Sequence, residues 1–210
     1  MSVEPKKHLV RVDRLSGPYI DRQKYVRLDK NEATTPFEVK VLDELKNQLD
    51  SYILSAYPEP EPLYKKLSDH LNIDRSELFL TSGSDLAIKT VFEVFVSEGD
   101  KVLTHEPSYA MSSVYCSLFN AEKLSMPFNK SLTIDIDQFC DRITKDIKLV
   151  IFENPNGFVG TGFSLSEIKK LIIKARENDT LILVDEAYFP FHNITAIDLI
   201  NDYGNLIISR

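Results

Sequence analysis

Two kinds of hydrophobic pattern alternate along the chain from residue 78 onward. Short, continuous apolar runs are typical of strands that are buried on both faces of a parallel sheet. Longer stretches place apolar residues every three to four positions, as an amphipathic helix does. The runs predict strands at residues 78–82, 101–104, 121–126, 149–152, 181–184 and 206–208. The spacing predicts helices at residues 84–96, 107–118, 134–143, 164–175 and 196–200, with the first starting at 84 or 85.

This alternation predicts an α/β fold with a mainly parallel, doubly wound sheet. The N-terminal third follows a different pattern. Residues 1–36 are polar and irregular and predict an extended arm, whereas residues 37–49 have helical spacing. The three prolines of residues 55–62 exclude a helix or a central strand there. Helical spacing resumes at residue 63 and ends near residue 72.

Composition and charge narrow the class of protein. The 210 residues are 43% hydrophobic and 27% charged, which is ordinary for a soluble globular protein with one substantial core. The net charge of −7 argues against a nucleic-acid or membrane-surface partner. No signal-peptide segment and no apolar run of about 18 residues is present, so no membrane span is predicted.

The cysteines and histidines show no metal-binding pattern. Cys116 and Cys140 are far apart in sequence and form no CxxC pair, which favours two reduced thiols in a cytoplasmic protein. None of the four histidines has a ligand partner at helical spacing, so no metal is expected. We interpret His105 and His192 as surface or edge residues whose hydrogen bonds are satisfied.

A carboxylate follows the apolar run at residues 181–184 directly, as Asp185 of the segment LILVDEAY. The carboxyl ends of strands are where open α/β sheets bind ligands. The Asp185–Glu186 pair also resembles a Walker B element. The nucleotide-binding sequence GxxxxGK[ST] that such an element accompanies is absent from the chain, which argues against a nucleotide triphosphatase.

Residues 81–85 (TSGSD) join a predicted strand to the start of a predicted helix. Unpaired N–H groups and the helix dipole favour an anion at such a point, and Gly83 allows a close backbone approach. The segment is therefore interpreted either as a phosphate cradle or as a plain N-cap formed by Ser84 or Asp85.

Two more predicted strands are followed by candidate side chains. Asn154 and Asn156 lie in NPNG after the strand at 149–152, either as an ordinary turn or as an amide delivered to a ligand. Tyr109 follows the strand at 101–104, either as a core aromatic or as a stacking surface. With the cradle, Asp185 and Tyr188, these residues suit a flat, phosphorylated ring that contains nitrogen. Pyridoxal phosphate fits that description.

A set of motifs in order along residues 25–210 carries a family resemblance. The motifs are LDKNE (28–32), SAYPEP (55–60), LTSGSDLAI (80–88), EPSYAM (106–111), ENPNGFVGTG (153–162), VDEAY (184–188) and NLIISR (205–210). On these motifs the chain resembles a fold-type I, pyridoxal-phosphate-dependent aminotransferase of the histidinol-phosphate aminotransferase subfamily. The resemblance implies a three-layer αβα large domain, incomplete at its C-terminal side, over residues 51–210. It assigns residues 1–50 to an arm and helix of the small domain and the dimer contacts.

The resemblance also implies roles for single residues. Asp185 matches the carboxylate that keeps the pyridine nitrogen protonated, Tyr188 the phenol bonded to the ring oxygen, and Tyr109 the ring-stacking aromatic. Tyr57 matches a tyrosine that reaches the cofactor phosphate of the partner subunit in a homodimer. Phosphate-cup positions of the family are matched by Gly83, Ser84 and Asp85, and substrate-pocket positions by Lys30, Asn31 and Glu32.

The chain departs from the family pattern in two places. The usual NPNxPTG is replaced by NPNGFVG at residues 154–160, and some members carry their ring-oxygen asparagine where Gly157 stands. We predict that Asn156, rather than Asn154, faces the cofactor. The second departure is that the Schiff-base lysine of the family follows NLIISR and has no counterpart among residues 1–210. We therefore expect the chain to be part of a longer polypeptide or a truncated gene product, inactive alone.

Three functions remain open at this point. The first is an aminotransferase that moves an amino group between glutamate or 2-oxoglutarate and a small phosphorylated substrate such as histidinol phosphate. The second is a pyridoxal-phosphate-dependent decarboxylase of a phosphorylated amino acid, because the same scaffold serves both reactions. The third is a non-catalytic remnant that binds a partner through the dimer surface of the family.

Overall fold

The computed structural model describes residues 3–11 and 21–210. Part of the predicted N-terminal arm, residues 12–20, lies outside the described residues. The described chain forms two compact units. One contains residues 80–210 with residues 3–11, and the other contains residues 21–79. The predicted division at residue 50 between two domains stays a prediction.

The unit of residues 21–79 is helical. Its helices are α1 (Val39–Gln48), α2 (Ser51–Ser55) and α3 (Glu61–Leu71), with 3₁₀ turns at Arg22–Lys24 and Arg75–Glu77. The expectation that residues 55–62 contain no helix is wrong at both ends of the range, since Ser55 ends α2 and residues 61–62 start α3. Pro62 lies in the first turn of α3, where a missing N–H leaves no hydrogen bond unmade. Asn72 ends α3 in the left-handed conformation at φ 53°.

The other unit contains a five-stranded sheet in the order β2-β1-β3-β4-β5. Every pair of neighbouring strands is parallel, which confirms the predicted sheet. The strands are β1 (Lys101–Glu106), β2 (Glu122–Pro127), β3 (Ile147–Glu153), β4 (Leu181–Asp185) and β5 (Leu206–Ser209). Because all strands point the same way, their carboxyl ends share one edge of the sheet, called here the carboxyl edge.

Helices cover both faces of the sheet. They are α4 (Gly83–Phe95), α5 (Ala110–Leu118), α6 (Ile136–Asp141) and α7 (Leu165–Glu177). Val150 and Phe152 of β3 belong to the core cluster that contains residues of α6 and α7, whereas Leu149 and Ile151 belong to the cluster with α4 and α5. Alternate residues of one strand thus enter opposite cores, which is why the strands are continuously apolar. The predicted αβα layering is confirmed.

Most predicted boundaries are within two residues of the structure, but one predicted strand does not form. Residues 78–82 are irregular, and Phe79 is 73% exposed. A strand requires a neighbour for its N–H and C=O groups, and among the described strands β2 and β5 are the edge strands and neither pairs with this segment. The following helix starts at Gly83 rather than at 84 or 85, and the segment at 196–200 contains only a 3₁₀ turn, Ile197–Leu199.

Among the described residues, no helix combines the length and the apolar character that a membrane crossing requires. The same part of the chain contains no group of three or more His, Cys, Asp or Glu side chains placed to hold a metal ion.

Candidate functional site

Asp185 lies at the carboxyl edge, between two neighbours set by strand register. Glu153 of β3 and Ser209 of β5 are its partners across the sheet. Its side chain is nearly buried, and its Oδ1 accepts hydrogen bonds from Ser209 Oγ at 2.9 Å and from the Ala187 N–H at 3.2 Å. Burial raises the pKa of Asp185, with Glu186 adding to the rise, although both hydrogen bonds act in the opposite direction.

Glu186, the other half of the acidic pair, is committed to the fold. Its carboxylate accepts hydrogen bonds from Thr195 Oγ1 at 2.8 Å and from the Ala196 N–H at 2.7 Å. It also forms an ion pair with Arg210 at 2.8 Å. These contacts hold the segment after β4 against the last residue of the chain. Glu186 therefore has a structural explanation that Asp185 lacks.

A second buried carboxyl, Glu153, was missed by the sequence reasoning as a site residue. Its Oε1 accepts the Tyr109 N–H at 2.5 Å, and its Oε2 accepts Asn156 Nδ2 and the Gly157 N–H, both at 3.2 Å. Burial raises its pKa to about 7, against the hydrogen bonds from Tyr109 and Gly157. The signal was present, because Glu153 follows an apolar run directly, as Asp185 does.

His105 is fully buried in β1, so the interpretation of it as a surface or edge residue is wrong. The interpretation that its hydrogen bonds are satisfied holds. Its Nε2 accepts the Glu153 N–H at 3.0 Å, which places the ring proton on Nδ1, 3.0 Å from the Pro107 carbonyl oxygen. Burial lowers its pKa to about 4, so the ring is neutral at physiological pH. His192 is half-buried, with Nε2 3.2 Å from the Phe163 carbonyl oxygen.

The two asparagines of the NPNG turn differ in what their amides bind. Asn156 uses its amide within the protein: Nδ2 donates to the Pro107 carbonyl at 2.9 Å, and Oδ1 accepts the N–H groups of Phe158 and Val159. Asn154 accepts the Phe163 N–H at 2.8 Å, and its buried Nδ2 has no hydrogen-bond partner among the described residues. The assignment of Asn156 to the cofactor stays a prediction, and Asn154 offers the donor without a partner.

Gly157 lies against the ring of Tyr188. A Cβ at Gly157 would be 2.6 Å from Tyr188 Cε2, which is shorter than any normal contact. A larger residue at this position would therefore require the tyrosine ring to shift. The glycine is therefore matched sterically to the tyrosine ring.

The predicted phosphate cradle starts α4. Gly83 is the first helical residue at φ 77°, and a Cβ built on it would meet nothing within 4 Å. The N-cap is Ser82, not Ser84 or Asp85, and its side chain makes no capping hydrogen bond. The Asp85 carboxylate instead accepts Tyr115 Oη at 2.7 Å. No described capping side chain therefore covers the end of α4, which is what an anion-binding helix end requires.

The remaining predicted site residues lie elsewhere. Tyr109 is the N-cap of α5 at the carboxyl edge. Tyr57, which is 96% exposed, belongs to the unit of residues 21–79. Three substrate-pocket candidates belong to that unit too, and one of them, Glu32, pairs with Arg22 at 2.6 Å. They are Lys30, Asn31 and Glu32. The roles predicted for these four residues stay predictions.

Comparison with known proteins gives a consistent result. The family model described as aminotransferase class I and II matches residues 23–210. The histidinol-phosphate aminotransferase of Thermoanaerobacter pseudethanolicus is 33% identical over 189 residues, covering 88% of this chain and 52% of that protein. The chain thus spans about half the length of the curated relatives it matches.

Two of the solved structures that resemble the chain show this similarity. A structure described as a pyridoxal-phosphate-bound aminotransferase from Clostridium difficile 630 has a TM-score of 0.61 and 25% identity, over 70% of this chain and 40% of that one. The histidinol-phosphate aminotransferase of Clostridium acetobutylicum has a TM-score of 0.64 and 21% identity, over 81% and 49% of the two chains. At that lower identity the similarity establishes the fold alone.

Proposed function

The chain belongs to the class I and II aminotransferase family, and we propose that the protein acts as a pyridoxal-phosphate-dependent aminotransferase. The observation that carries the proposal is the buried carboxyl of Asp185 at the carboxyl edge. Burying an ionised carboxylate costs free energy unless a cationic partner is present, and burial accordingly raises the pKa of Asp185. A protonated ring nitrogen would supply such a partner.

Other residues of the same unit fit this cofactor. The open end of α4, where a Cβ on Gly83 would meet nothing, suits a phosphate. The buried Nδ2 of Asn154 has no described partner and can donate to an oxygen of a ligand. Tyr109, at the start of α5, provides an aromatic face. These features belong to different elements and call for the same kind of molecule, a phosphorylated heteroaromatic ring.

Each residue then has a definite task. Asp185 would hold a proton on the ring nitrogen, and Tyr188 would donate a hydrogen bond to the ring oxygen. Tyr109 would pack on the ring face. Pyridoxal phosphate, when bound, supplies an electron sink for charge formed at the substrate α-carbon. The phosphate would be held at the start of α4 by the backbone N–H groups of Ser84 and Asp85. Gly83, whose own N–H donates to the Thr81 carbonyl at 2.8 Å, would leave room for its close approach.

The substrate pair that we propose is glutamate with 2-oxoglutarate on one side and a small phosphorylated substrate such as histidinol phosphate on the other. The support is the similarity to histidinol-phosphate aminotransferases, which are 32–33% identical to this chain. We place Lys30, Asn31 and Glu32 in the substrate pocket and Tyr57 at the cofactor phosphate of a partner subunit. This arrangement requires a homodimer, and we place the protein in the cytoplasm.

An amino-transfer assay on the protein expressed from its own gene tests the proposal. With histidinol phosphate and 2-oxoglutarate we expect glutamate to form. Asp185→Asn should lower the rate about 100-fold, because an amide does not stabilise the protonated ring nitrogen. Asp202→Asn, an exposed residue after the 3₁₀ turn, is the matched control and should leave the rate unchanged.

Several results would contradict the proposal in different ways. Release of carbon dioxide from phosphothreonine or phosphoserine, without glutamate formation, would indicate a decarboxylase. Failure to bind pyridoxal phosphate would favour the non-catalytic remnant. A cofactor-loaded protein that transfers no amino group from glutamate to any phosphorylated ketone would also contradict the proposed aminotransferase activity.

A further inference from the structure

One buried carboxylate bonds to two different loops at the carboxyl edge. The first loop, residues 107–109, follows β1, and the second, residues 154–160, follows β3. Glu153 accepts the Tyr109 N–H of the first loop through Oε1. It accepts the Gly157 N–H of the second loop through Oε2. Glu153 is 4% exposed, so water does not compete for these bonds.

A neutral pair of side chains reinforces the same connection. Asn156 Nδ2 donates to Glu153 Oε2 at 3.2 Å and to the Pro107 carbonyl at 2.9 Å, so it too joins the two loops. The His105 ring accepts the Glu153 N–H on one side and meets the Pro107 carbonyl on the other. Because this histidine is neutral at physiological pH, Glu153 is the one member of the network that changes charge near pH 7.

Some of the groups around Glu153 favour its ionised form and others favour its protonated form. Asp185 on β4 and Glu106 at the end of β1 both oppose its ionisation, as does burial. The Tyr109 and Gly157 N–H groups and the Asn156 amide favour the ionised form. An ionised carboxylate accepts all three donors, whereas a protonated carboxyl has a hydroxyl that must itself donate. Protonation of Glu153 therefore removes part of the hydrogen bonding in this network.

We propose that Glu153 is a positioning residue whose ionised carboxylate holds the loop that carries Tyr109 against the loop that carries Asn156 and Gly157. Protonation of Glu153 loosens this contact and, with it, the ring-binding face at Tyr109. The consequence for cofactor binding rests on the proposed function. The contact between the loops does not, since it is made within the chain.

Amide hydrogen exchange on the cofactor-free protein, expressed from its own gene, tests the contact. Protection of the Tyr109 and Gly157 amides, corrected for intrinsic rates, should be several-fold lower at pH 6 than at pH 8. In Glu153→Gln the protection of both amides should be low and equal at the two pH values. Asp202→Asn removes an exposed acid that is not among the groups acting on the pKa of Glu153, and should behave as the wild type does.

Equilibrium dialysis with pyridoxal phosphate tests the consequence. With the pKa of Glu153 at about 7, the ionised fraction falls about tenfold between pH 8 and pH 6. The apparent affinity should fall about tenfold more in the wild type than in Glu153→Gln, because only the competent form binds well. The comparison cancels the titration of the cofactor itself, which is common to both proteins.

The outcomes separate the two proposals. Protection that does not change with pH in the wild type overturns the contact, whatever the cofactor does. Protection that changes while the pH dependence of affinity is the same in Glu153→Gln overturns the positioning role. A protein that binds no pyridoxal phosphate at any pH defeats the proposed function and the positioning role together, while the exchange data still decide on the loop contact.

Discussion

Asp185 and Glu153 occupy matching positions at the ends of adjacent strands, yet their surroundings differ. Asp185 has two hydrogen-bond donors, both from residues near its own position in the sheet. Glu153 has donors from two loops that are distant in sequence. Both are buried acids without an ion-pair partner among the described residues, unlike Glu186, which has Arg210. A cationic ligand would offset the cost of burying the charges of Asp185 and Glu153. Glu186 already has a cationic partner in Arg210.

The pKa of Glu153 predicts a pH dependence of stability. A carboxyl whose folded pKa lies above its unfolded value binds more protons in the folded state, so stability falls as pH rises between the two values. For Glu153 these are 4.5 and about 7. Relative to the wild type, Glu153→Gln should therefore gain between about 2 and 3 kcal/mol in free energy of unfolding from pH 5 to pH 8.

Urea denaturation of the cofactor-free protein at pH 5 and pH 8 measures this gain. Asp202→Asn, at an exposed acid that is not among the groups acting on the pKa of Glu153, is the control and should track the wild type at both pH values. An equal offset between Glu153→Gln and the wild type at pH 5 and pH 8 would mean that Glu153 titrates as it does in the unfolded chain. A gain in stability at pH 8 together with weaker cofactor binding would identify Glu153 as a residue kept for its position rather than for stability.

At the level of elements, α7 shows how local chemistry sets a helix start. Ser164 Oγ accepts the Glu167 N–H at 3.3 Å, and Glu167 Oε2 accepts the Ser164 N–H at 2.8 Å. The S-x-x-E pattern of residues 164–167 predicts this reciprocal capping box, and the structure confirms it. The contrast with α4 is informative, because its N-cap Ser82 makes no such bond. One helix end is closed by its own side chains, and the N-cap residue of the other makes no side-chain hydrogen bond.

Loss of the cap should destabilise the unit of residues 80–210. Ser164→Ala should lower the free energy of unfolding by about 1 kcal/mol. Ser117→Ala is the matched control, since that exposed serine lies inside α5 and alanine favours a helix interior. Chemical denaturation measures both variants. A loss as large in Ser117→Ala as in Ser164→Ala would show that the capping bonds contribute nothing.

At the level of the whole molecule, the sheet joins two cores that do not share side chains. Phe152 meets Phe139, Phe163 and His105 edge-on in one core, with ring centroids 4.8–5.2 Å apart. Phe92 meets Tyr115 and Phe119 in the other, at 5.7–5.8 Å. Strands β1, β3, β4 and β5 each contribute side chains to both cores. Loss of one core would therefore also disturb the face of the sheet on which the other core packs.

This shared sheet predicts cooperative unfolding. Phe152→Ala and Phe92→Ala should each cost about 3–5 kcal/mol, since both phenylalanines are fully buried. Both should shift one common transition, monitored by circular dichroism and by tyrosine fluorescence. Phe158→Ala, at a ring that is 64% exposed, is the control and should change stability by less than about 0.5 kcal/mol. Separate transitions for the two cores would refute the cooperative picture.

The sequence by itself determined most of the elements, the parallel sheet and the position of Asp185. These follow from local patterns: a strand buried on both faces has to be continuously apolar, and the residue that ends it lies at the carboxyl edge. The same rule applied evenly would also have pointed to Glu153, which ends β3. The family motifs added the expected role of each residue.

Only the tertiary structure decided what each polar group meets. Burial of His105, the use of the Asn156 amide, the orphaned Nδ2 of Asn154 and the balance of charge at Glu153 all depend on atoms brought together from different strands. The segment at 78–82 has strand-like composition but pairs with no described strand. Pairing, pKa and hydrogen-bond satisfaction are properties of neighbours in space, and a linear pattern specifies those neighbours only through the fold.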